Sequence, residues 1–224
     1  MSYYLMIFFF MGLSWYVSFM MKKRFKEYSK MTISLTGAQI AEKMLRDNGI
    51  TDVQVISTPG ALTDHYNPAN KTVNLSDWVY AQNTVAAAAV AAHECGHAVQ
   101  HAHAYTWLGF RSKMVPALTL SSKFMPFLLM GGILLFYSSG NSMILIAGIT
   151  LFALTTVFTF VTLPVEFDAS NRALKWLDGA GVLGRVDHEK AKSALKWAAS
   201  TYVVAALASL AQLLYYISIL NRRD

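Results

Sequence analysis

Charge is scarce in this chain: only 14% of its 224 residues are Asp, Glu, Lys or Arg, against roughly 25% in ordinary soluble domains. Cysteine is scarcer still. Cys95 stands alone, which excludes an intrachain disulfide framework and fits a reducing compartment. No low-complexity linker interrupts the sequence, no segment repeats, and no small-x-small cleavage site follows the first apolar stretch, so that stretch reads as an uncleaved anchor. The net charge of +6 gathers beside apolar runs instead of forming a basic patch interleaved with aromatics. It reads as a topology signal, and nucleic-acid binding is not expected.

What the chain has in plenty is hydrophobic residues, 54% of the total, collected in runs long enough to cross a bilayer. Residues 1–21 predict a transmembrane anchor. Lys22, Lys23, Arg24 and Lys26 follow it, so the positive-inside rule places the N-terminus outside and residue 22 onward in the cytoplasm. Residues 22–120 predict a soluble catalytic region. It holds a helix over 36–48, a strand over 53–56, a turn over 64–68, a second strand over 71–75, Ser76 as a helix cap, and an alanine-rich helix over 83–105. Residues 121–163 predict a transmembrane hairpin, with arms over 124–137 (extended back to about Ser121) and 142–163. Residues 164–198 predict soluble helices, the first with Pro164 in its first turn and the second, lysine-rich, over 187–198. Residues 199–220 form the fourth span. Arg222 and Arg223 then fall outside, against the rule, but Arg111, Lys113, Lys123, Lys190, Lys192 and Lys196 outweigh them on the inner side. The expected class is a mainly α integral membrane protein, with about four transmembrane helices and a small α+β zincin-like catalytic domain at the membrane surface.

One stretch carries chemistry. Ala91-Ala92-His93-Glu94-Cys95-Gly96-His97-Ala98 contains His-Glu-x-x-His. On a helix, His93 and His97 project from one face about a turn apart and can fill two positions of a tetrahedral zinc site. Glu94 is then placed to take a proton from the water that such an ion activates. Ionisable groups are costly in lipid, so this helix is expected beside the membrane and not within it. A third ligand must come from elsewhere: the remaining histidines (His65, His101, His103, His188) or a carboxylate. Glu166 is favoured because it follows the hairpin, which returns the chain to the membrane face it left. His101 extends the ladder, but histidines at i, i+4 and i+8 span about 12 Å, too far for one ion. Cys95 is expected to pack away from the ligand face, and Gly96 to permit close approach of a neighbouring element.

These residues, with Leu62-Thr63-Asp64-His65-Tyr66-Asn67-Pro68, Val73-Asn74-Leu75-Ser76, the run continuing to Val99-Gln100, Leu163-Pro164-Val165-Glu166-Phe167-Asp168-Ala169-Ser170 and Thr201-Tyr202-Val203, resemble the bacterial neutral zinc metallopeptidases of the YugP type. That group is similar to the gluzincin membrane proteases, which include the heat-shock membrane proteases and the CAAX prenyl endopeptidases. The resemblance runs over nearly the whole chain. It implies a multi-pass protein of the bacterial plasma membrane and one Zn²⁺ per chain, held by His93, His97 and Glu166. It further implies Glu94 as general base and a peptide or membrane-protein substrate. The better-known gluzincins carry an aspartate four residues after the third ligand. Ser170 stands there in this chain, so the partner that orients a ligating imidazole is either Ser170 or Asp168. The latter's spacing also suits a pair with Arg172. His65, Tyr66, His188 and Tyr202 are candidate oxyanion donors, and residues 71–75 are expected to offer an edge strand to an extended substrate.

Two other readings use the same residues. In a site-2-type intramembrane protease Asp178 of Leu177-Asp178-Gly179 would be the third ligand, although residues 171–176 do not form a membrane span. In a non-enzymatic membrane scaffold any metal would be structural.

Overall fold

The computed structural model describes residues 3–221, so the expectation for Arg222 and Arg223 lies outside the described residues. The elements in chain order are α1 (Tyr3–Tyr28), α2 (Gly37–Asp47), β1 (Gln54–Thr58), β2 (His65–Asn67), β3 (Thr72–Ser76), α3 (Asp77–Ala81), α4 (Val85–Ala102), α5 (Thr106–Ser139), α6 (Met143–Gly179) and α7 (Arg185–Leu220). Among the described residues four helices, α1, α5, α6 and α7, are long and apolar enough to cross a membrane. The protein is thus mostly helical, with one three-stranded sheet.

Several local expectations change. Pro164 lies inside α6 and does not begin a helix. The ring removes one backbone donor, but the apolar residues before it and the helix-forming run after it continue the same helix. The lysine-rich stretch and the last apolar span likewise form a single helix, α7, because no glycine or proline separates them. The first hairpin arm is the second half of α5, which starts at Thr106 and passes through Pro116 and Pro126. Residues 65–67, expected in a turn, form β2. Ser76 precedes α3 but makes no side-chain cap; its hydroxyl turns back to the Asp64 carboxylate at 3.0 Å. The strand over 71–75 is not an edge: the sheet order is β1-β3-β2, with β3 central, parallel to β1 and antiparallel to β2.

The chain divides into two compact units. One comprises residues 15–108 and 164–201 and holds every element of the sheet. Its core is built around α2 and α4. Thr36 starts α2 with a capping box, its hydroxyl accepting from Gln39 N–H while the Gln39 side chain accepts from Thr36 N–H, which satisfies two otherwise unpaired donors. Ile40, Ala41, Met44 and Leu45 are then buried on one face of the helix. They pack against Val85, Ala86, Ala87, Ala88 and Ala89 of α4, all fully buried. Alanine suits such a helix, since it has the highest helix propensity and adds no bulk between neighbours. Val73 and Leu75 of β3 close the same core from the sheet side. The other unit comprises residues 3–14, 109–163 and 202–221. Leu129, Phe136, Leu145, Ile149 and Ile219 form its cluster. A Cβ on Gly132 would lie 2.6 Å from the Leu145 backbone, so α5 and α6 approach at a small residue, as apolar spans do where packing drives association.

The start of α4 depends on one hydroxyl. Thr84, 3% exposed, accepts from Ala87 N–H at 3.2 Å. Thr84→Ala is expected to cost about 1 kcal/mol, measured as a lowered unfolding midpoint in detergent; an unchanged midpoint would show that the cap contributes nothing.

Candidate metal centre

Helix α4 delivers His93 and His97 from one face, with ring centroids 4.8 Å apart. Helix α6 delivers Glu166, whose side chain is 3% exposed. The Glu166 Oε2 atom lies 3.4 Å from His93 Nε2 and 3.8 Å from His97 Nε2. All three donor atoms fall within 4.8 Å of one another. An ion with bonds of about 2.0–2.1 Å in tetrahedral geometry separates its ligands by about 3.3 Å. Two imidazole nitrogens and a carboxylate at this spacing therefore fit zinc, and they leave one coordination position for a small molecule.

The meeting of the two helices is allowed at one residue. A Cβ on Gly96 would lie 2.5 Å from the Ala169 carbonyl oxygen, so only glycine lets α6 come this close to α4 between the two histidines. Gly96 thus acts as the sequence suggested. Cys95 is fully buried, with its thiol 3.6 Å from the Ala41 carbonyl. Burial pushes its pKa well above the ordinary thiol value, so it stays protonated and packs on the side away from the ligands.

Each imidazole has a partner on its other nitrogen. Ser170 Oγ lies 3.1 Å from His93 Nδ1, and Gln100 Oε1 lies 3.0 Å from His97 Nδ1. Asp168 touches neither ring. Its Oδ2 accepts from Gln100 Nε2 at 2.8 Å and from Arg172 Nε at 2.6 Å. Ser170 thus touches His93 directly, and Asp168 reaches His97 only through Gln100. Gln100 was not singled out from sequence. The available signal was its place three residues after His97, on nearly the same helix face.

Glu94, 8% exposed, has its Oε2 3.1 Å from the backbone N–H of Tyr66. An antiparallel strand turns the N–H and C=O of one residue to the same side. Since Tyr66 N–H points to Glu94, the outer edge of β2, not β3, faces the site. No side-chain pattern could have announced a backbone donor. Burial opposes the charged form of His97, but hydrogen bonding to Glu166 and the nearby Glu94 charge outweigh it, so its pKa lies above the ordinary value of 6.5.

Among the described residues the other candidates are not part of the converging group. His65 donates to the Thr63 carbonyl at 2.7 Å, and His188 lies 3.1 Å from the Leu174 carbonyl. His101 pairs with the Tyr66 hydroxyl at 2.7 Å, and His103 faces Arg172. Asp178 is exposed on α6, twelve residues past Glu166 and hence about 18 Å along the axis, so it does not join the group. Tyr202, 38% exposed, belongs to α7 within the other unit.

Residues 3–221 match the model of a family described as "Putative neutral zinc metallopeptidase". The chain is 41% identical over 217 residues to the "Putative membrane protease YugP" of Bacillus subtilis (strain 168), covering 96% of this chain and 95% of that protein. No solved structure was found to match the chain.

The close crossing generates a test. Alanine at position 96 would gain about 1 kcal/mol of helix propensity, yet its methyl meets a backbone carbonyl that cannot turn aside, an overpacking that costs about 1–3 kcal/mol or more. Gly96→Ala is expected to lower the unfolding midpoint. A raised midpoint would show that α4 and α6 do not cross here.

Proposed function

The chain belongs to the neutral zinc metallopeptidase family, and from that premise we propose that it is a zinc-dependent membrane endopeptidase of the gluzincin type. One observation carries the reading: His93 Nε2, His97 Nε2 and a Glu166 oxygen converge within 4.8 Å, with Glu94 beside them on the same helix. Zinc bound there supplies Lewis-acid polarisation of the scissile carbonyl and lowers the pKa of a water at the open position.

The protein's own groups do the rest. Glu94 takes the proton of the attacking water and returns it to the leaving amine. The Tyr66 N–H holds the Glu94 carboxylate toward the site until substrate enters. The outer edge of β2 receives an extended peptide by backbone hydrogen bonding, which gives affinity with little sequence preference. Ser170 and Gln100 orient the two imidazoles. The substrate class is peptide or protein, including membrane proteins, and disposal of damaged membrane proteins is the role that suits it. We place the site on the cytoplasmic face of a bacterial plasma membrane with the N-terminus outside, following the basic residues after the first span.

Zinc content and proteolysis of the purified chain in detergent test the proposal. Glu94→Gln is expected to keep one zinc per chain and to lose about 10²–10⁴-fold in hydrolysis of a model peptide. Glu166→Ala is expected to lose both metal and activity, and Asp178→Ala neither. Stoichiometric zinc with no hydrolysis by the wild type would favour a metal-binding scaffold instead, and an active Glu94→Gln variant would sink the mechanism.

A pH dependence follows as well. Zinc needs the neutral imidazole, while His97 in the metal-free protein holds its proton above pH 6.5. Zinc affinity is therefore expected to fall with acidification, beginning near neutrality, as protons compete for His97. Metal-competition titrations across pH 6 to 8 check this; a flat profile would contradict it.

A further inference from the structure

Gln100 is wholly buried, and a buried carboxamide without partners is costly. Its partners define it completely. Nε2 donates to the Val165 carbonyl at 2.7 Å and to Asp168 Oδ2 at 2.8 Å, while Oε1 faces His97 Nδ1 at 3.0 Å. A carboxamide offers two N–H donors on one atom and acceptor lone pairs on the other. The Val165 carbonyl can only accept. Asp168 Oδ2 also receives Arg172 Nε at 2.6 Å, which keeps a carboxylate oxygen turned toward Gln100. Arg172 is itself held by His103 Nδ1 at 3.3 Å and by the Tyr105 ring, 5.7 Å from its guanidinium carbon. The amide nitrogen must therefore face the two acceptors. The amide oxygen is left for His97, and an acceptor there requires a proton on Nδ1.

We propose that Gln100 is a positioning residue: braced by Val165 and Asp168, its amide oxygen holds a proton on His97 Nδ1 and so leaves Nε2, on the Glu166 side, as the nitrogen for metal. The inference rests on reading His97 as a zinc ligand only for its consequence, not for the tautomer itself. Without the brace, the Glu166 carboxylate beside Nε2 draws the proton to that nitrogen, and the ring can turn. With it, the metal-binding nitrogen is set before metal arrives. The same amide also ties α4 to the peptide group just before Glu166, so one side chain orients one candidate ligand and anchors the helix of another. Ser170 holds His93 by a single hydroxyl that can donate or accept, so it cannot impose a tautomer as Gln100 does.

The test uses the full-length chain in detergent micelles, stripped of metal, with ¹⁵N-labelled histidine. Long-range ¹H–¹⁵N spectra, taken where imidazoles are neutral, show which ring nitrogen carries the proton; His97→Gln assigns the signals. Wild type is expected to show His97 with Nδ1 protonated. Gln100→Met, of similar volume but without hydrogen bonds, is expected to move the proton from Nδ1 toward Nε2 at His97 alone, and to weaken zinc binding about 10–100-fold. Asp168→Asn keeps an acceptor for the Gln100 amide and is expected to retain the tautomer. A wild-type His97 without a proton on Nδ1 overturns the proposal, as does a Gln100→Met spectrum like that of wild type. If Gln100→Met fails to fold, the wild-type and Asp168→Asn spectra still decide. Should the wild type show the Nδ1–H tautomer yet take up no zinc, the metallopeptidase reading fails and this inference stands. Zinc uptake with the opposite tautomer overturns the inference and leaves the metallopeptidase reading intact.

Discussion

The contact between Gly96 and Ala169 is the constraint on which the site depends. A metal centre built from two helices needs its ligand atoms within a few ångströms, and how closely the backbones approach sets where those atoms fall. Removing one Cβ at the crossing brings the backbones closer than any other residue permits. His93 and His97 flank that glycine, and Glu166 and Ser170 flank Ala169. The histidine pair and its complement thus meet because the point of closest approach is centred between them.

Polar groups around the crossing form a connected system with few loose ends. Gln100 and Glu166 are buried, and each would be destabilising alone. Glu166 is met by His93 and His97, Gln100 by His97, Val165 and Asp168, and Asp168 in turn by Arg172, and the apolar packing of the α4 alanines lies on the core side. This division explains why α4 carries two kinds of sequence: small apolar residues through Ala92 that fix its position against α2, then a polar stretch that faces α6.

Much of this was legible in the residues, and the illegible part has physical reasons. His93, Glu94 and His97 announce themselves because helical spacing alone puts two imidazoles on one face. Glu166 was reached by following the chain, since its position after a pair of apolar segments limits where it can return. The central place of β3 was hidden because β2 is only three residues long, too short for an alternation pattern to show, so the strand at 71–75 looked unpaired on one side. The continuity of α6 through Pro164 was hidden because proline suits a first turn as well as a helix kept intact by its neighbours. Gln100 was hidden because a glutamine three residues after a histidine is ordinary on a solvated helix; only burial makes it mean something.

The hold on Glu94 comes from the peptide group of Tyr66 and not from its side chain. Nineteen of the twenty amino acids carry that donor, so position 66 can drift in identity while the carboxylate stays where it is. Only proline would delete it. The Glu94 carboxylate is therefore secured by something that mutation can scarcely reach, whereas the glutamine hydrogen-bonded to His97 Nδ1 is encoded in a single replaceable codon. Variation in this protein should accordingly be tolerated unevenly, freely along the strand beside Glu94 and poorly on the helix behind the histidines.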